Sequence, residues 1–119
     1  MPPTPPVRLR LETAGDVTVV SFVDEVIVDD LVLNEVRDAL YRLVDVDKKK
    51  MLLLNLGNIR KYSTEFLGNL LGLKQRVVKA NGVLKLCSIA PNLMDAVKIL
   101  RLSNAFDIYT DEQDAIDAF

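Results

Sequence analysis

There is no histidine among the 119 residues of the chain. Its absence removes the commonest general base and the commonest metal ligand, and with them any His-based triad or phosphohistidine relay within this chain. A single cysteine, Cys87, excludes an internal disulfide. The sequence contains no Gly-rich phosphate loop, so no motif points directly to a nucleotide. No apolar run reaches the ~20 residues that a membrane-spanning helix needs. The opening "MPPTPPVRL" lacks the apolar stretch of a signal peptide. Positive charge is not in excess either: the net charge is -2, and the one basic cluster, Lys48-Lys49-Lys50, precedes a strand rather than lining a helix. Nucleic-acid binders show a basic patch or stripe, so neither nucleic acid nor membrane is an expected partner. The expectation is a cytoplasmic protein without metal or cofactor.

What is present is apolar and periodic. Half of the residues are hydrophobic, enough for one core, and the length suits one domain. Residues 1–6 hold Pro2, Pro3, Pro5 and Pro6, which lack amide protons, and read as a flexible tail before a domain over residues 7–119. Val7, Leu9 and Leu11 alternate with charged residues, the period of a half-buried strand. After the turn signal Ala14-Gly15-Asp16, the residues Val17, Val19, Val20, Phe22 and Val23 make a second strand, giving a β-hairpin.

Asp29 or Asp30 can cap a first helix, whose apolar positions Leu31, Val32, Val36, Leu40, Leu43 and Val44 end near Val46. The run "MLLLNL" from Met51 to Leu56 is apolar throughout, as in a central parallel strand covered on both faces. A second helix is predicted from about Thr64 to Ala80, with Leu67, Leu70, Leu71, Lys74, Val77 and Val78 on its core stripe. Asn81-Gly82 stops it, with Gly82 free to take a positive φ. Val83 to Ile89 reads as a strand, and Pro91 to Leu100 as a helix. A strand at Phe106, Ile108 and Tyr109 and a last helix ending at Phe119 complete the pattern. Strands alternating with helices imply an α/β fold. Here that is a mixed sheet, an N-terminal hairpin followed by parallel strands, with about four helices.

In open α/β sheets ligands gather beyond the carboxyl ends of the strands. The apolar strand delivers the chain to "NIRKYSTE", Asn58 to Glu65, at that end. Ser63 and Thr64 can cap the second helix, with Glu65 adding favourable charge at its positive end. The same position is a natural anion site, so a hydroxyl there can also take a phosphate without disrupting the helix. Gly68 and Gly72 are expected to permit close helix–sheet packing. Phe66 and Leu73 lie off the predicted stripe, so they either form an exposed apolar patch for a partner or are covered by a neighbouring helix. Asp24, Glu25, Asp29 and Asp30 match no calcium loop and read as solvated surface.

The segment "LLLNLGNIRKYSTEFLGNLLGLKQRVVKANGVLKLCSIAPNLMDAVKILRLSNAFDIY" resembles the STAS domain of bacterial anti-sigma factor antagonists, and the resemblance extends over roughly Val7 to Phe119. Members of that family show an apolar strand, then a loop reading Asp-Ser-Ser-Gly-Leu-Gly or Ser-Ser-Ala-Gly-Leu. A helix with a glycine near its end, another strand and a Leu…Phe-x-Ile tail follow. Matching Leu67-Gly68 to the family's Leu-Gly puts Thr64 at the phosphorylated serine and Ser63 on the residue before it. Glu65 stands where the family has a small residue, and Phe66 where it has glycine.

The resemblance implies a regulatory module, not an enzyme. It would bind an anti-sigma factor that is also a serine kinase, be released by phosphorylation at Thr64 or Ser63, and be reset by a phosphatase. Asn58, Lys61, Tyr62, Glu65, Phe66, Asn69 and Leu73 are the expected partner-binding residues. Two alternatives remain open at this level: a loop that binds constitutively without being phosphorylated, or one that senses a small nucleotide or anion.

Overall fold

The computed structural model describes residues 8–119. The proline-rich tail predicted for residues 1–6, and Val7 at the start of the first strand, lie outside the described residues. The elements run β1 (Leu9–Ala14), β2 (Val17–Phe22), β3 (Val26–Ile27), α1 (Asp30–Asp45), β4 (Met51–Asn55), β5 (Lys61–Tyr62), α2 (Thr64–Lys79), β6 (Val83–Cys87), α3 (Pro91–Ile99), β7 (Asp107–Tyr109) and α4 (Glu112–Asp117). The main sheet has the order β1-β2-β4-β6-β7. The β1–β2 hairpin is antiparallel, and every later neighbour pairs in parallel.

Alternation along the strands sorts the side chains onto two faces. Val20, Phe22, Leu52, Leu54, Leu84 and Leu86 point to one face, under α1, α2 and α3. Val17, Val19, Leu53 and Cys87 point to the other, where Ala115 of α4 meets them. The central strand β4 is therefore apolar on both sides, as its unbroken run requires. Lys85 is the one buried charge on the described strands; its ammonium reaches Asp107 at 3.4 Å and the Tyr109 hydroxyl at 3.3 Å.

Asp29 caps α1, its carboxylate accepting from the Val32 amide at 2.9 Å. At the far end of α2 the structure departs from expectation. Asn81, not Gly82, takes the left-handed conformation, with φ 61°. Gly82 is required instead by close approach: a Cβ there would lie 2.5 Å from the Lys50 carbonyl oxygen, the group that accepts from the Val83 amide at 2.7 Å.

Further differences follow from packing. The last two apolar positions predicted for the third helix do not face the core: Ile99 is 78% exposed, and Leu100 has become its C-cap. Phe106 is buried but precedes β7, and α4 closes at Asp117, with Phe119 beyond it. Gly68 is open, with nothing within 4 Å of a Cβ placed on it. Gly72 packs against α1 rather than the sheet: a Cβ there would fall 1.9 Å from the Tyr41 hydroxyl oxygen.

Candidate functional site

The segment between β4 and α2 is fixed by bonds that reach far along the chain. Asn55, at the end of β4, accepts from the Gly57 amide at 2.9 Å and donates to Glu112 of α4 at 3.1 Å. Asn58 donates to the Phe22 and Val23 carbonyls at 2.8 and 3.2 Å, fastening the loop to the end of β2. The Arg60 and Lys61 amides both donate to the Glu25 carbonyl, and the Ser63 amide donates to the Ile27 carbonyl. The two-residue strands β3 and β5 thus pair in parallel, Val26 beside Lys61 and Ile27 beside Tyr62. Strands this short leave no periodicity to read in a sequence.

On this support α2 begins. Ser63 is the N-cap residue by its extended backbone, φ -100° and ψ 165°, but its side chain makes no capping bond. Its Oγ is buried and without a hydrogen-bond partner of regular geometry. It lies near enough to Glu65 to hold that carboxyl below its ordinary pKa, with Glu65's own amide contributing next. Thr64 is the first residue of the helix and is exposed, with exposed Glu65 beside it and open Gly68 one turn on. A helix start of this kind favours negative charge, and Glu65 supplies some already.

The predicted site residues divide into two groups. Asn58, Lys61, Thr64 and Glu65 are exposed along the junction. Tyr62 and Asn69 are half-buried and tie it to its neighbours: the Tyr62 hydroxyl donates to the Asn92 carbonyl at 3.2 Å, and Asn69 donates to the Leu33 carbonyl at 3.3 Å. Phe66 and Leu73 require correction. Both are wholly buried and offer no surface to a partner. Phe66 meets Phe22 edge to face, ring centroids 5.7 Å apart at 85°. Helical side chains tilt toward the N-terminus, and at Phe66 that direction leads under the loop. The buried stripe of α2 is Phe66, Leu67, Leu70, Leu73 and Val77, whereas Val78 is 57% exposed.

Val26 and Val28 went unnoticed in the sequence, where the surrounding acids suggested solvated surface, and Leu31 was counted among the apolar positions of the first helix. All three are exposed, and Val26 lies directly beside Lys61. Their signal was available as apolar residues within an acidic loop. Among the described residues no group of His, Cys, Asp and Glu is placed to hold a metal, and no helix is long and apolar enough to cross a membrane. Burial pushes the Cys87 thiol up from its ordinary pKa, so this thiol is packing rather than nucleophile.

A mixed sheet with helices on both faces, its β1–β2 hairpin antiparallel and its other neighbours parallel, defines the class of this α/β domain. The sequence model of the STAS domain matches residues 8–115, and the chain belongs to that family. Among curated proteins no sequence matches. Several solved structures share the fold. An anti-sigma-factor antagonist (STAS) domain protein from Planctomyces limnophilus superposes with a TM-score of 0.80 at 18% identity, covering 92% of this chain and 96% of that one. An anti-sigma factor antagonist from Mycobacterium paratuberculosis gives 0.79 at 21% identity, over 92% and 91% of the two chains. The Bacillus cell fate determinant SpoIIAA in its phosphorylated form gives 0.70 at 17% identity, over 92% and 97%.

Proposed function

We propose that this domain is a docking module whose partner, an anti-sigma factor that is also a serine kinase, binds the surface around Thr64 and is released when Thr64 is phosphorylated. The supporting observation is the contrast between the two neighbouring hydroxyls. Thr64 is exposed at the first position of α2, whereas the Ser63 Oγ is buried. Transfer of a phosphoryl group from ATP to the Thr64 Oγ1, with loss of the hydroxyl proton, adds a charge of about -1.5 to -2. The unpaired amides of the helix start can accommodate that charge locally, while the surface seen by the partner gains negative charge. A phosphatase resets the module. Membership of the STAS family and likeness to a relative solved in phosphorylated form are consistent with this reading.

Glu65 modulates the switch. Its carboxylate lies beside the acceptor, where like charge opposes phosphate addition. Val26 supplies exposed apolar surface beside Lys61, with exposed Val28 and Leu31 following along the chain, the mixture expected of a surface with a hydrophobic centre and polar rim.

The test is intact-mass measurement of protein purified from its own cells, before and after phosphatase, followed by partner titration. A phosphatase-sensitive shift should map to Thr64 and survive Ser63→Ala. Thr64→Glu should weaken partner binding at least tenfold, and Thr64→Ala should bind but no longer respond to kinase and ATP. Equal affinity of all three forms would refute the switch.

A further inference from the structure

At the opposite end of α2 lies a cleft of about 600 Å³, between the last turns of α1 and α2 and the turn that leads into β4. Lys48, Lys49, Lys50, Arg76 and Lys79 line it, against one carboxylate, Asp45. This is a strong local excess of positive charge in a chain whose net charge is -2. We infer that the cleft binds an oligophosphate, a chain of two or more linked phosphates, either free or carried by a nucleotide.

Helix dipoles alone do not explain the cluster. Arg76 and Lys79 stand in the last turn of α2, where cations complement the negative end. Lys48, Lys49 and Lys50 stand outside any helix, in the connection to β4, and all three are exposed. Among the described residues none of these three, nor Lys79, pairs with a carboxylate. Like charges lining one cleft repel one another, and a bound polyanion offsets that repulsion.

The backbone of the turn is held in place. Lys48 takes the left-handed conformation, φ 58°, and the Lys49 amide donates to the Leu43 carbonyl at 2.9 Å. The Lys50 carbonyl is closed off by the Val83 amide and by the close approach of Gly82.

The wall chemistry selects the ligand class. Arg76 is already committed: it pairs with Asp45 at 2.5 Å, and its guanidinium lies 4.1 Å from the centre of the Tyr41 ring. That leaves the lysines, compact point charges suited to phosphate oxygens and lacking the planar fork that matches a carboxylate. The volume falls within the usual range of small-molecule sites. The cleft begins at Gly72, about 12 Å along the α2 axis from Thr64, and its Lys79 lies about 22 Å along the axis from Thr64. The inference is therefore independent of the proposed switch.

Calorimetric titration and thermal unfolding of the full chain, at constant ionic strength, with tripolyphosphate, ATP and sulfate will test it. Tripolyphosphate at about one hundred times its Kd should raise Tm by about 10 °C, and sulfate should do far less. Binding of tripolyphosphate and ATP alike assigns the site to the phosphate chain, and binding of ATP alone assigns it to a nucleotide. The double variant Lys49→Gln/Lys79→Gln should weaken binding at least tenfold while unfolding normally without ligand, and Thr64→Glu should bind as the native chain does. Equal stabilisation by sulfate, an unchanged Kd in the lysine double variant, or loss of binding in Thr64→Glu would each overturn the inference.

Discussion

The two ends of α2 are finished by different means. At its C-terminus the chain closes on itself: the Ala80, Asn81 and Gly82 amides return to carbonyls of the last turn, and Asn81 supplies the positive φ. At its N-terminus the residue in the capping position leaves its hydroxyl unused, and the helix is set by groups distant in sequence. Asn58 bonds across 36 residues to Phe22, Asn69 bonds across 36 to Leu33, and Phe66 packs on Phe22. An end fixed from outside leaves its own first-turn side chains available for other work.

The heaviest blow to this contrast is Phe66→Ala, which removes the ring beneath the junction and should lower unfolding stability by about 3–5 kcal/mol; urea denaturation measures it. A loss below about 1 kcal/mol would mean that the N-terminal end is not anchored by that contact. Next is Gly72→Ala, which drives a methyl into Tyr41 and should cost about 1–3 kcal/mol. Combining it with Tyr41→Phe removes the nearest clashing atom and should recover part of the loss, so an unrecovered double variant would place the strain elsewhere. Ser63→Ala sharpens the contrast through the smallness of its effect. A working N-cap costs ~1 kcal/mol to remove, but this hydroxyl has no regular partner, so the change should stay within about 0.5 kcal/mol.

The least effect is electrostatic. The Glu65 carboxyl has a lowered pKa when folded, so its contribution is fully present above the ordinary value of 4.5 and fades as pH falls through the lower folded value. Glu65→Gln should flatten the acid limb of the stability curve slightly, most visibly in low salt.

Much of the architecture was legible because it rests on long periodic runs. The alternation of β1 and β2, the unbroken apolar β4 and the Asp29 start of α1 each leave a local mark in the sequence. The face of α2 was read less well. Hydrophobic spacing around Leu71 and Val78 suggested a stripe turned away from Phe66 and Leu73, and only the presence of Phe22 and of Tyr41 on its neighbours decides which side is covered. The site was half visible. Thr64 is exposed at the first position of α2, where the sequence placed that helix start, whereas the β3–β5 pairing, and with it the placement of Val26, depends on partners 35 positions away.

That small pairing also sets how the junction can open. The amides of Arg60, Lys61 and Ser63 are all held by carbonyls of the segment from Glu25 to Ile27. None can exchange with solvent deuterium until the whole ribbon detaches, so the three should share one protection factor as a cooperative unit. An enzyme that needs Thr64 in an extended strand must wait for the same event, which makes the opening rate of this ribbon the upper limit on how fast such an enzyme can work.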